Sequence, residues 1–179
     1  MKVKIKRAKP QDSSIVRSLI NEMYGFEYEV RSEQEIANSI KSADEIYILS
    51  YLDDVCIGFA GATVNHEEYK QKYGYGSVID YIYVKEKFRG AQTAYNLIMG
   101  IIKQLVSLNI NEAVMQVQTF NKQRYLHYAL SDKNIINSEV CKRKGDEYED
   151  QILLIKDLKS VQTLTLKQLM QKIVNYKNV

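Results

Sequence analysis

The chain has 179 residues, and 25 Lys and Arg against 22 Asp and Glu leave a formal charge of +3. That length suits one domain, and 45% hydrophobic with 26% charged residues is an ordinary globular composition, which argues against wholesale disorder, collagen or coiled coil. No run reaches the roughly 18 to 20 apolar residues of a membrane span, and MKVKIKRAKPQD opens without a signal peptide's apolar stretch, so a cytoplasmic protein with no membrane partner is expected.

Residues 2–7 alternate Lys2, Val3, Lys4, Ile5, Lys6, Arg7, the period of a half-buried strand, and Pro10 stops it. Asp12, Ser13 and Ser14 offer an N-cap to a helical face made by Ile15, Val16, Leu19, Ile20 and Met23, closed by Gly25. Ser32 and Glu35 fit a capping box ahead of Ile36, Ala37 and Ile40, predicting a second short helix. Residues 46–52 and 55–64 read as two strands joined by the turn Asp53-Asp54, a hairpin. Residues 65–76 are polar and glycine-punctuated, and 77–84 (SVIDYIYV) read as a central strand. After the basic turn 85–89, Ala94, Leu97, Ile98, Ile101, Ile102, Leu105 and Leu108 fall at helical spacing. A strand over 113–119, helical composition over 121–130 and a late strand over 147–158 follow. Residues 1–158 are thus expected to form one α+β or α/β domain with a mixed sheet covered by helices. Residues 159–179 form a helical extension, amphipathic over 163–174, that packs on the domain or on a partner subunit, which is compatible with a homodimer.

Two cysteines, Cys56 and Cys141, and two histidines, His66 and His127, give neither a disulfide framework nor a zinc spacing, so no metal is expected. The near-balanced charge leaves no footprint for nucleic acid; Lys142, Arg143 and Lys144 read as a solvated turn, the competing reading being a basic contact for an oligonucleotide.

The junction from Val78 to Ala94 carries the most chemistry. A strand, a turn and a helix N-terminus bring unpaired backbone N–H groups and the positive end of the helix dipole to one point, which suits phosphate. Gly90, Ala91 and Ala94 are small enough to let a diphosphate approach the backbone, and Arg89 adds a fixed charge. The same residues also fit a plain strand-to-helix turn whose small side chains only permit packing.

At this junction the chain resembles the GNAT family of N-acetyltransferases, whose coenzyme motif is Arg or Gln, two residues, Gly, one residue, then Gly or Ala. Here it reads Arg89, Gly90-Ala91, Gln92, Thr93, Ala94, with Gln92 in place of the first glycine. Element order extends the resemblance over residues 1–157. It implies a mostly antiparallel sheet of about 6–7 strands flanked by helices, with acetyl-CoA as cosubstrate. It places the diphosphate on Arg89–Ala94 and the pantetheine against the backbone of Ile82, Tyr83 and Val84, in a cleft between the strand ending at Val84 and the strand at 114–119. The family's Asn, six residues, Tyr spacing is met by Asn121 and Tyr128. On a helix these share a face, about two turns apart. Asn121 would then bond the coenzyme and Tyr128 would protonate the departing thiolate, with a packing aromatic as the competing reading of Tyr128. Where the family continues to Gly-Phe, this chain has Asp132, Lys133, Asn134 and Ile135.

The implied activity is direct acetyl transfer to a primary amine of a small molecule or peptide. A catalytically silent CoA-binding or protein-interaction module is the alternative. Asp80 on the central strand is the candidate base, or else a carboxylate bonded to its neighbours. Glu27, Glu29, Glu33, Glu35, Asp44 and Glu45 form an acidic rim that would favour a cationic amine, or a solvated acidic loop. His127 should face away from Tyr128, and Cys56 should be an inert core thiol.

Overall fold

A computed structural model describes residues 3–25, 31–121, 124–143 and 146–178. Glu27, Glu29 and Lys144 therefore lie outside the described residues. The described elements are, in order, β1 (Lys4–Arg7), α1 (Ser13–Tyr24), α2 (Glu33–Ser42), β2 (Glu45–Leu52), β3 (Val55–Thr63), α3 (Glu67–Tyr73) and β4 (Val78–Val84). There follow α4 (Ala91–Ser107), β5 (Ala113–Gln118), α5 (Arg124–Ser131), β6 (Ile135–Arg143), β7 (Asp146–Ile155), α6 (Leu158–Val161) and α7 (Leu166–Lys177). The seven strands make one sheet ordered β1-β2-β3-β4-β5-β7-β6, mostly antiparallel, with β4 and β5 parallel at Val78 and Val114.

Local chemistry explains many of the boundaries. Asp53 and Asp54 both take positive φ (46° and 67°), the pair of left-handed residues that a two-residue hairpin turn between β2 and β3 requires. The Ser32–Glu35 capping box forms as expected, with the Ser32 amide donating to Glu35 Oε2 at 2.8 Å. Asp12 departs from expectation. It precedes α1 without capping it, and instead its Oδ2 accepts the Lys9 amide at 2.8 Å while Oδ1 meets Lys6 Nζ at 2.9 Å.

Other elements correct the sequence reading. All four residues of β1 are exposed, because β1 is an outer strand of the sheet and its alternation buries neither face. The polar stretch 65–76 contains α3, closed by Gly74 at φ 82°. The late strand is the second arm of a hairpin whose first arm, β6, the sequence did not announce. In the tail, the helix runs Leu166–Lys177 under a Thr165–Gln168 capping box, preceded by the short α6.

The chain divides into two compact units, residues 1–65 with 80–104, and residues 66–79 with 105–179. In the first, Val16, Leu19 and Ile20 of α1 and Ile36 and Ile40 of α2 pack with Tyr47, Leu49 and Phe59. Leu97, Ile98, Ile101 and Ile102 of α4 are at most 1% exposed, each such burial contributing roughly 1.5–3 kcal/mol. In the second unit, Val78, Val114, Ile152 and Leu154 form a core covered by Tyr69 and Tyr73 of α3. Leu169 of α7 is buried as well.

Candidate functional site

The first unit builds the strand-to-helix junction from local bonds. After β4 a single 3-10 turn, Glu86–Phe88, is closed by Phe88 N–H to Lys85 O (2.8 Å) and Arg89 N–H to Glu86 O (3.1 Å). The first bond of α4 is Ala94 N–H to Gly90 O at 3.3 Å. The amides of Gly90, Ala91, Gln92 and Thr93 thus lie ahead of any i→i−4 acceptor, at the positive end of a 17-residue helix. A Cβ built on Gly90 would meet nothing within 4 Å, so the space beside it is open to a ligand. Arg89 is exposed and its Nε donates to Val84 O at 3.3 Å, which anchors the guanidinium beside the turn. Gln92 is exposed too, and its Nε2 donates to Asn96 Oδ1 at 2.9 Å along the helix surface. An anionic, phosphate-bearing ligand fits this group: open backbone donors, a helix dipole and one arginine.

The end of β4 is tightly placed. Lys85 N–H donates to Ile57 O at 2.9 Å, and a Cβ on Gly58 would stand 2.5 Å from Tyr83 O. Upstream on β4, Asp80 Oδ2 accepts a hydrogen bond from Thr63 Oγ1 at 2.6 Å, so the candidate base is oriented by a hydroxyl of β3.

Sequence reasoning missed an aromatic and charged cluster in the same unit. Tyr81 stacks on Tyr47 (centroids 6.2 Å apart, planes at 22°), packs against Phe59 at 5.7 Å and meets Tyr24 edge-on at 6.3 Å. Arg31 Nη2 bonds Glu45 Oε2 at 2.8 Å and Tyr47 OH at 3.1 Å. Burial holds the phenols of Tyr47 and Tyr81 well above the ordinary tyrosine range, so both stay neutral, and the Tyr47 hydroxyl donates to Glu45 Oε2 at 3.1 Å. The signal was the period-2 placing of aromatics in β2 and β4, but nothing local pointed to Arg31. Three carboxylates of the expected acidic rim have local partners, one of them in this cluster. Glu45 pairs with Arg31, Glu35 serves its capping box, and Asp44 accepts from Ser42 Oγ.

The second unit holds the Asn121–Tyr128 pair. The helix starts at Arg124, not at Asn121, and the Asn121 carbonyl accepts the Arg124 amide at 3.0 Å. The expectation that both residues share a helix face is thereby corrected: Asn121 stands in the turn ahead of α5. Tyr128 is 8% exposed, and its hydroxyl donates to Gln151 Oε1 on β7 at 2.8 Å. Its ring meets Tyr176 of α7 edge-on at 6.2 Å and Tyr125 at 6.3 Å. Burial pushes its phenol pKa up, with Arg124 opposing and Glu149 adding.

Of the remaining candidates, Cys56 is half-buried and burial raises its thiol, while Cys141 is a second free thiol. No group of three potential ligands close enough to hold a metal ion occurs among the described residues, and no described helix is long and apolar enough to cross a membrane.

The description of the acetyltransferase (GNAT) family matches residues 14–128, more than half of the chain. Among solved structures, an acetyltransferase of the GNAT family from Streptococcus pneumoniae aligns at 14% identity and TM-score 0.65, over 86% of this chain and 98% of that one. YncA from Salmonella typhimurium, solved with its cofactor acetyl-CoA, aligns at 11% identity and TM-score 0.67, over 87% and 94%. Arabidopsis thaliana NAA60, in complex with a bisubstrate analogue, aligns at 13% identity and TM-score 0.60, over 86% and 97%. At such identities the likeness is one of fold. No curated protein matches the sequence.

Proposed function

The chain belongs to the GNAT acetyltransferase family, and we propose that it transfers the acetyl group of acetyl-CoA directly to a primary amine of a small molecule or peptide. The observation that carries this reading is the open head of α4, where Gly90–Thr93 present amides ahead of the first helical bond and Arg89 stands beside them. In this reading the diphosphate is received by Arg89–Ala94 and the pantetheine lies along the backbone of Ile82, Tyr83 and Val84.

Transfer requires a neutral amine. Its nitrogen attacks the thioester carbonyl carbon, a C–N bond forms, and the C–S bond breaks with its electron pair leaving on sulfur. The nitrogen gives up a proton to a carboxylate and the thiolate takes one from an acid. Asp80, held by Thr63, is assigned the first role and Tyr128 the second. Any phenol arrives protonated at neutral pH, and burial, which raises the Tyr128 pKa, keeps it so while making it the weaker acid.

One observation favours the alternative of a CoA-binding module without turnover: the Tyr128 hydroxyl already donates to a buried glutamine. Calorimetric titration with acetyl-CoA, followed by a thiol-release assay over a panel of primary amines, separates the two. Micromolar binding with amine-dependent release supports the enzyme, and binding without release supports the module. Replacing Arg89 by Ala should weaken acetyl-CoA binding about 10- to 100-fold, the worth of one charge-assisted contact. Unchanged affinity would remove the diphosphate from this turn.

A further inference from the structure

We infer that Gly58 of β3 is a positioning residue for acetyl-CoA, because its missing side chain fixes the path of Tyr83 and Val84. This rests on the proposed function, which lays the pantetheine along that stretch. Gly58 has no positive φ to justify glycine; its reason is space. A Cβ there would lie 2.5 Å from Tyr83 O and 3.1 Å from Val84 Cα, both backbone atoms, and 3.3 Å from the Oγ of the fully buried Ser50. Real Cβ atoms essentially never come within 3.0 Å of such an atom, so a methyl group must push the strand end by at least about 0.5 Å. The neighbouring contacts leave little slack. The Lys85 amide is tied to Ile57 O at 2.9 Å, Ser50 Oγ donates to Gly58 O at 3.3 Å, and Arg89 Nε holds Val84 O at 3.3 Å. The displacement therefore falls on the Tyr83–Val84 peptide and is passed to Arg89 through the Val84 carbonyl.

Gly100 of α4 supplies the matched comparison. Its Cβ would stand 2.9 Å from Ile48 Cγ2, a smaller intrusion below the same 3.0 Å limit and one that meets only a side chain. A purely structural role predicts that Gly58→Ala and Gly100→Ala both lower the melting temperature and leave ligand affinity alone. A positioning role predicts divergence in affinity.

The test is calorimetric titration of wild type, Gly58→Ala and Gly100→Ala with acetyl-CoA, after circular dichroism has shown each to be folded. Misplacement on the scale of an ångström costs a binding geometry about tenfold or more. The expected result is thus a dissociation constant raised at least tenfold in Gly58→Ala and changed less than twofold in Gly100→Ala. A folded Gly58→Ala protein that binds acetyl-CoA within twofold of wild type overturns the inference while leaving the proposed function standing. If Gly58→Ala does not fold, the backbone amide resonances of wild type decide. Shifts at Tyr83, Val84 and Lys85 on saturation with acetyl-CoA support the inference, and silence there in a protein that binds the ligand overturns it. Failure of wild type to bind acetyl-CoA overturns the proposed function and this inference together.

Discussion

Replacing Tyr128 with Phe separates two roles of one hydroxyl, the hydrogen bond to Gln151 that the structure shows and the general acid proposed for it. The phenol is 8% exposed and donates at 2.8 Å to the side-chain oxygen of Gln151, itself 5% exposed, so deleting it leaves a buried acceptor without that donor. Such a loss costs about 1–2 kcal/mol. With an unfolding entropy of about 2.1 cal/mol/K per residue, 179 residues give about 0.4 kcal/mol per degree, hence a melting temperature lower by about 3–5 °C. The catalytic consequence is on a different scale. General acid catalysis is worth about 10²- to 10⁴-fold, or about 3–5 kcal/mol of barrier. Differential scanning calorimetry and thiol release at saturating acetyl-CoA, with an amine that supports turnover, read the two separately. The expected outcome is the small loss of stability together with a kcat at least about 100-fold lower and an acetyl-CoA affinity within twofold of wild type. A kcat within threefold of wild type in a protein that melts 3–5 °C lower would refute the acid role and make Tyr128 a core residue bonded to the sheet. An unchanged melting temperature would refute the accounting for the Gln151 bond.

Two further substitutions test local electrostatics and the altered glycine position. Because Gln92 pairs with Asn96 along the exposed surface of α4, Gln92→Gly should change the acetyl-CoA dissociation constant less than twofold in a calorimetric titration; a tenfold tightening would show that the side chain shades the turn. Asp150 has a buried Oδ1 without a hydrogen-bond partner, while Oδ2 accepts from Gln116 Nε2 at 2.5 Å, and burial holds its pKa above the usual carboxylate range with Glu139 adding to the effect. A raised acid pKa means stability that is complete below the unfolded value, about 3.9, and lost as pH rises through the folded value. Asp150→Asn should therefore raise the urea midpoint relative to wild type at pH 8 and not at pH 3.5, and an equal effect at both would exclude ionisation as the cause.

What the sequence revealed of the fold depended on whether the determining interactions were local. The Asp53-Asp54 turn, the Ser32–Glu35 box and the apolar stripe of α4 each involve residues within a few positions, and each was legible. β6 was not, because Val140 is 72% exposed and the strand offers no apolar face to give a period. It exists through its pairing with β7, which only the three-dimensional register supplies. Likewise α3 is a seven-residue helix whose apolar content is Tyr69 and Tyr73, and these find their cover in a core drawn from β4, β5 and β7. The strand β1 erred in the other direction, since its alternation was genuine but its place at the outside of the sheet leaves both faces exposed.

The same division governs the candidate site. The phosphate-suited turn was legible because a strand end, a turn and a helix head are consecutive in the chain, and their orphan amides follow from helix geometry alone. The environments that decide what each side chain does are non-local. Asp80 is oriented from 17 positions away by Thr63, and the Tyr128 hydroxyl is engaged from 23 positions away by Gln151. Arg31 meets Glu45 and Tyr47 only when α2 has folded onto β2. Gly58 shows the limit most sharply, since in the sequence it is one small residue in an apolar strand, Val-Cys-Ile-Gly-Phe-Ala-Gly. Its significance is that a Cβ there would stand 2.5 Å from a carbonyl oxygen 25 positions on, a distance set by where the end of β4 lies against β3. A motif can therefore place a ligand's charge, whereas the tolerance of the surrounding backbone has to be read from the sheet.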